Sequence, residues 1–264
     1  MQTSTTKQTS LTLMTPAMLF IKGEHWILGG YYIERQMVKF DADSCELNLQ
    51  SSLLEIGHID GMWGSCAVYN DLAHLCFDEE GVVLGFIFEL YEFSCQTFDG
   101  ENQSVIDAKT AYPHDWASMA VYNDKMWVVG GCDPGEFECT NKVESYDGTS
   151  WQLGTDHPTP ELKGHLVMAE SHGLYGYNGQ TVHRFNGSVW TVLGRMSDAQ
   201  QSYDDVNSGK IVNGYAYAGT DAIDRINMSE SYFYSVSLGK DPDGRDFWLY
   251  YSPMILVEGP LCGA

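Results

Sequence analysis

The chain has 264 residues, with 14 Lys and Arg against 36 Asp and Glu, for a formal net charge of -22. A surface this acidic repels nucleic-acid phosphates and anionic lipid heads, which leaves solubility, a basic partner or a bound cation as readings of the charge. Gly is common (27), aromatics make up 13%, and no run of 18 apolar residues occurs, so the composition favours short strands with tight turns and excludes a membrane-spanning helix.

In chain order, residues 1–10 read as a disordered tail without a continuous apolar leader, and residues 10–16 as the close of an outer strand. LFIKGEHWILGG, from Leu19, reads as two strands with a turn at Gly23-Glu24 and a double Gly at Gly29-Gly30; Phe40 follows on a third strand. A second unit starts with AVYND at Ala67, shows Phe77-Asp78 where the double Gly is expected, and places Phe98 on its third strand. The clearest unit begins at Ala117. There ASMAVYNDKMWVVGG turns at Asn123-Asp124 and ends in Gly130-Gly131, and two further strands carry Tyr146 and Trp151. The fourth unit turns at His172-Gly173 and repeats the aromatic spacing as Phe185 and Trp190. The fifth turns at Asn213-Gly214, with Met228 and Phe233 five apart. RDFWLYYSPMILVEG, from Arg245, supplies two more apolar strands. The units span about 17–60, 61–115, 116–163, 164–201 and 202–240, with a closing unit from 241–264 and 10–16.

Each recurring feature has a physical cause. Asn-Asp and Asn-Gly reach the positive φ that two-residue hairpins need. A double Gly lets the backbone turn sharply and approach a neighbour without a Cβ clash. The third- and fourth-strand aromatics fill the gap between twisted sheets packed face to face. A four-stranded sheet cannot bury both faces alone, and stacking copies around an axis does so.

On Gly29-Gly30, Gly130-Gly131, Tyr146, Trp151, Phe185 and Trp190, the chain resembles the kelch-repeat family from about Leu11 to Val257. The resemblance implies an all-β, kelch-type β-propeller of six blades: five clear ones and a thin composite closing blade to which both termini contribute. The alternative is a fragment of a longer chain. The ubiquitin adaptors of that family carry a BTB domain ahead of the propeller, and none stands here.

The resemblance also implies that one ring face is built from the loops joining second to third strands and from those joining successive blades, where function concentrates. The expected longest second-to-third loop runs from Cys132 to Asn141, with Phe137 at its centre between Glu136 and Glu138. Phe137 is either an exposed anchor or tucked under its own loop. Cys132 and Cys139 either staple the loop in an oxidising compartment or stay free thiols; a zinc site fits their spacing least. Trp63 and Trp116, each just before a first strand, are either contact anchors or buried packing. Asp156, His157 and Glu161 add candidate polar contacts on the next loop.

The pairs His58/Asp60 and His114/Asp115 are the acid–base candidates, but no nucleophile accompanies them at a fixed spacing. No phosphate-cradling Gly loop or EF-hand occurs. The expectation is therefore a non-enzymatic monomeric domain without cofactor or metal, binding a protein or peptide of basic character, with no nucleic acid and no membrane insertion. The alternative is an extracellular, glycosylated propeller with a structural or carbohydrate-contacting role, motivated by Cys132/Cys139 and by N-x-Ser sequons at Asn102, Asn186 and Asn227. The compartment is cytoplasmic if the N-terminus is complete and extracellular if it is truncated.

Overall fold

Two-residue turns set the frame. Asn70-Asp71 and Asn123-Asp124 all hold left-handed φ between 52° and 60°, the conformation whose twist matches that of paired strands. The computed structural model describes residues 17–28, 36–41, 44, 46–53, 66–77, 82–83, 86–87, 95–115, 117–133, 138–160, 166–170, 173–177, 181–195, 209–212, 215–219, 223–227 and 232–236. Every regular element among them is a strand.

The first sheet comprises β1 (Ala17–Ile21), β2 (Glu24–Leu28), β3 (Gln36–Asp41) and β4 (Glu46–Leu53). The second comprises β5 (Cys66–Tyr69), β6 (Leu72–Cys76), β9 (Cys95–Phe98) and β10 (Gln103–Ile106); a small hairpin, β7 (Val82–Val83) and β8 (Phe86–Ile87), lies between β6 and β9 in the chain. The third comprises β11 (Ser118–Tyr122), β12 (Lys125–Val129), β13 (Val143–Tyr146) and β14 (Trp151–Leu153). The fourth comprises β15 (Leu166–Glu170), β16 (Gly173–Tyr177), β17 (Thr181–Phe185) and β18 (Trp190–Arg195). The fifth comprises β19 (Gly209–Val212), β20 (Tyr215–Gly219), β21 (Ile223–Asn227) and β22 (Tyr232–Val236). Each is a four-stranded antiparallel meander, and the chain builds them one after another. Their first strands are neighbours in the same order: β1 by β5, β5 by β11, β11 by β15 and β15 by β19.

Alternation along the strands gives the first four sheets apolar faces that consecutive sheets share. Leu19, Trp26, Leu28 and Met37 of the first sheet pack on Ala73, Leu75 and Phe98 of the second. The opposite face of the second, with Ala67, Tyr69 and Cys76, meets Met119, Met126, Val128 and Tyr146 of the third. The third turns Trp127, Val129 and Val143 towards Leu174, Phe185 and Trp190 of the fourth. One contact recurs. A second-strand ring packs on the third-strand ring of the next sheet: Trp26 on Phe98 at 5.0 Å, His74 on Tyr146 at 6.3 Å, Trp127 on Phe185 at 5.0 Å. Within a sheet the expected aromatic pairs are cross-strand partners, Tyr146 with Trp151 and Phe185 with Trp190. Such edge-to-face and stacked pairs add roughly 0.5–1.5 kcal/mol each beyond buried area.

A second recurring device closes the third-to-fourth turns. Asp99, Asp147 and Asn186 each precede a Gly at φ 98°. Each directs its side-chain Oδ1 at the backbone N–H groups two and three residues on, at 2.7–3.0 Å. These N–H bonds hold the Asp99 carboxyl well below its usual range, chiefly through Asn102 and then Glu101. The Thr149 hydroxyl, with the N–H groups of Ser150 and Thr149, lowers Asp147 to about 2.

The structure corrects several details. The first hairpin turns at Lys22-Gly23, because β1 pairs Ile21 directly with Glu24; in the fourth sheet Glu170 pairs with Gly173, which moves that turn one residue upstream as well. In the fifth sheet the cross-strand partners five apart are Asn227 and Tyr232, one residue upstream of the expected Met228 and Phe233; Phe233 pairs with Ile226, and Met228 lies outside the described residues. The longest connection between a second and a third strand lies in the second sheet, residues 77–94, and not at 130–142. Gly29, Gly30, the tail 1–10, the strand expected at 10–16 and the closing unit 241–264 lie outside the described residues.

The face of the first sheet equivalent to the one by which the third meets the second carries Phe20, His25, Phe40 and Leu47 in cross-strand register. Phe20 is 56% and Leu47 46% exposed.

Candidate functional site

The connection between β12 and β13 is pinned on both flanks. Gly131 adopts φ 97° and presses on the preceding inter-sheet segment so closely that an added Cβ would lie 2.7 Å from the His114 carbonyl carbon. That approach lets the Cys132 N–H donate to the Asp115 carbonyl at 2.6 Å. Cys132 is disulfide-bonded to Cys139. Thr140 N–H donates to the Gly131 carbonyl and Asp133 N–H to that of Glu138. At the loop's far end, Asn141 exchanges two bonds with His157: His157 N–H to the Asn141 carbonyl, and Asn141 Nδ2 to the His157 carbonyl.

Beneath the loop lies a buried polar cluster. The His114 ring is fully buried, with Nδ1 2.5 Å from the Gly130 carbonyl and Nε2 3.2 Å from Glu144 Oε1. The ring is thus held between a backbone carbonyl on one side and a carboxylate oxygen on the other. Glu144, 2% exposed, also accepts the N–H groups of Ala111 and Tyr112 at 3.0 Å. Burial pushes the Glu144 carboxyl up, but His114 and the two N–H groups outweigh it and hold the group below its ordinary value. The cluster ties residues 111–114 to the third strand, and a ring bonded on both sides and closed to solvent is in no position to shuttle a substrate proton. His114/Asp115 thus loses its acid–base reading, while His58/Asp60 lies outside the described residues.

The second sheet carries an equivalent staple. Cys76 and Cys95 face each other across β6 and β9 and are disulfide-bonded, at the mouth of the 77–94 connection. Sequence reasoning missed this pair. Aligning AVYND with its second copy places Cys76 on Val129, and aligning Phe98 separately with Tyr146 places Cys95 on Val143, the cross-strand partner of Val129.

Glu138 and Asp156 are both exposed. Asp156 pairs with Lys142 at 2.6 Å, and the Lys142 ammonium sits 5.3 Å from the Tyr112 ring. The Asp156 hydrogen bond raises the Lys142 pKa. His157 differs from its expected role. The 154–160 segment crosses between third and fourth sheets, and the His157 ring is fully buried against His183 and Trp190, both at 4.6 Å. It plugs the seam and presents nothing to a partner. Trp63, Trp116, Glu136, Phe137 and Glu161 lie outside the described residues. Asp107, Lys109, Tyr112, Glu138, Asp156 and Pro158 are exposed among the described residues of these loops. No group of three His, Cys, Asp or Glu among the described residues is arranged to hold a metal ion, and no helix there is long and apolar enough to cross a membrane.

No family model matches the chain, and no curated protein matches it in sequence. Among solved structures 303 chains match it, so the architecture is widely shared and names no activity. One is the structure of YjhT, with a TM-score of 0.62 over 81% of this chain and 74% of that one, at 11% identity. At that identity the likeness shows the fold alone: an all-β chain of four-stranded antiparallel sheets.

Proposed function

We propose that the chain is a non-enzymatic binding scaffold on a kelch-type propeller, whose loop end around Cys132–Asn141 receives a protein or peptide of basic character. The observation that carries this reading is the pinning of that loop by the Cys132–Cys139 disulfide and by backbone bonds to both flanking segments. A loop closed by a disulfide and tied to its flanks at its described residues has less entropy to lose on binding, which raises affinity without new contacts. The acidic side chains around it favour a basic partner and speed its approach. The ring itself is supported by the ordered stacking of five sheets and by the open first-sheet face at Phe20 and Leu47, which a sixth sheet from 241–264 with 10–16 would cover.

The test is selection of binders from a displayed library of Lys- and Arg-containing peptides, repeated with Glu136→Lys/Glu138→Lys. The selected peptides should bind the variant at least about tenfold more weakly, with a shallower salt dependence and an unchanged unfolding transition. Equal binding of every selected peptide would remove this face from the account.

A second reading, residence in an oxidising compartment with a structural or carbohydrate-contacting role, is favoured by the two disulfides, Cys76–Cys95 and Cys132–Cys139. Non-reducing peptide mapping of the protein from its native source tests it: linked peptides support it and free thiols end it.

A further inference from the structure

We infer that Asn186 carries an N-linked glycan, an inference that rests on the oxidising-compartment reading. Asn186-Gly187-Ser188 is a sequon, and it occupies a turn whose geometry is repeated elsewhere in the chain. In the second and third sheets an Asp, Asp99 or Asp147, stands at that place. All three side chains do one structural job, which needs only an oxygen: Oδ1 accepts two backbone N–H bonds. Asn does that job no better than Asp, yet it alone adds a nitrogen. Both side-chain hydrogen bonds of Asn186 among the described residues use Oδ1, so Nδ2 is not engaged in holding the turn.

Space and position agree. Asn186, Gly187, Ser188 and Val189 are all exposed, and a Cβ built on Gly187 meets nothing within 4 Å. Asn102, the other sequon on a described turn, differs in place: it stands at the end of its turn, where its backbone N–H donates to Asp99 Oδ1 and its carbonyl accepts the Asp99 N–H. The antiparallel meander puts the 186–189 turn at the end of the fourth sheet opposite its second-to-third connection. A glycan there points away from that loop.

The modification transfers an oligosaccharide from a lipid-pyrophosphate carrier. A bond forms between sugar C1 and Nδ2, the C1–O bond to the pyrophosphate breaks with its electron pair leaving on the phosphate oxygen, and the amide nitrogen gives up one proton. Oδ1 is untouched, so the turn survives the reaction.

Peptide mapping of the native protein, before and after enzymatic deglycosylation in heavy-oxygen water, reads Asn186 and both disulfides in one experiment. Conversion of Asn186 to labelled Asp is the expected result. Bare Asn186 in a protein with both disulfides formed overturns the inference and leaves the compartment reading standing; free thiols with bare Asn186 overturn both. Asn186→Asp, expressed through a secretory pathway, should lose the mass of one glycan while keeping its fold, because Asp99 and Asp147 show that a carboxylate closes the same turn. An unchanged mass in that variant also overturns it.

Discussion

Replacing Glu144 by Ala removes the buried carboxylate that the Ala111 and Tyr112 N–H groups and the His114 ring all face. Each buried donor left stranded costs about 1–3 kcal/mol. Water entering the vacated space offsets part of that sum, so the expected net cost is about 3–5 kcal/mol at neutral pH. Glu144→Gln keeps the volume and one acceptor oxygen and should cost about 1–3 kcal/mol. The pH dependence has a definite sign. The folded carboxyl lies below its ordinary value of 4.5, so the unfolded chain takes up its proton first as pH falls. The stabilisation is therefore complete above 4.5 and fades as pH drops through the folded value. Urea unfolding of wild type and Glu144→Ala at neutral pH and at a series of lower values measures both effects. A neutral-pH difference under about 1 kcal/mol, or one that holds its size into acid, would refute the stabilising role of the buried carboxylate.

Three further outcomes follow from the packing. Gly131→Ala meets the His114 backbone whereas Gly100→Ala, at a similar φ, meets nothing within 4 Å; equilibrium unfolding should find the first costlier by about 1–3 kcal/mol, the overpacking term alone. Cys76→Ser/Cys95→Ser opens a sequence separation of 19 and Cys132→Ser/Cys139→Ser one of 7; loop-closure entropy predicts losses of about 3 and about 2.5 kcal/mol, read as lowered denaturant midpoints. Trp127→Ala removes the ring that packs on Phe185 and should cost about 3–5 kcal/mol, whereas Val192→Ala on the exposed outer strand should cost under about 0.5 kcal/mol.

What was legible in the sequence was local. Asn123-Asp124 and Gly130-Gly131 announce their turns because few other residues accept those backbone angles, and Tyr146 with Trp151 recurs because cross-strand register fixes the spacing. What was missed depends on three-dimensional neighbours. Cys76 and Cys95 are separated by an insertion that hides their alignment with Val129 and Val143. The ring contact from sheet to sheet was obscured because His74 takes the place that Trp26 and Trp127 fill. His157 reads as a loop residue facing solvent, but the seam beside Trp190 has a vacancy that its ring fills. Lys22 holds φ 49° without being Gly or Asn, so Gly23 signalled the first hairpin but not that its turn begins one residue earlier.

Closure of the stack into a ring is open to direct measurement. Spin labels introduced through a non-natural amino acid at Ser44 and, in turn, at Glu101, Thr149, Ser188 and Ser229 sample the third-to-fourth turn of each successive sheet. In a closed six-membered ring the distance from Ser44 rises to a maximum at Ser188 and falls again at Ser229. A distance that keeps growing through Ser229 would mean an open stack and would contradict the propeller.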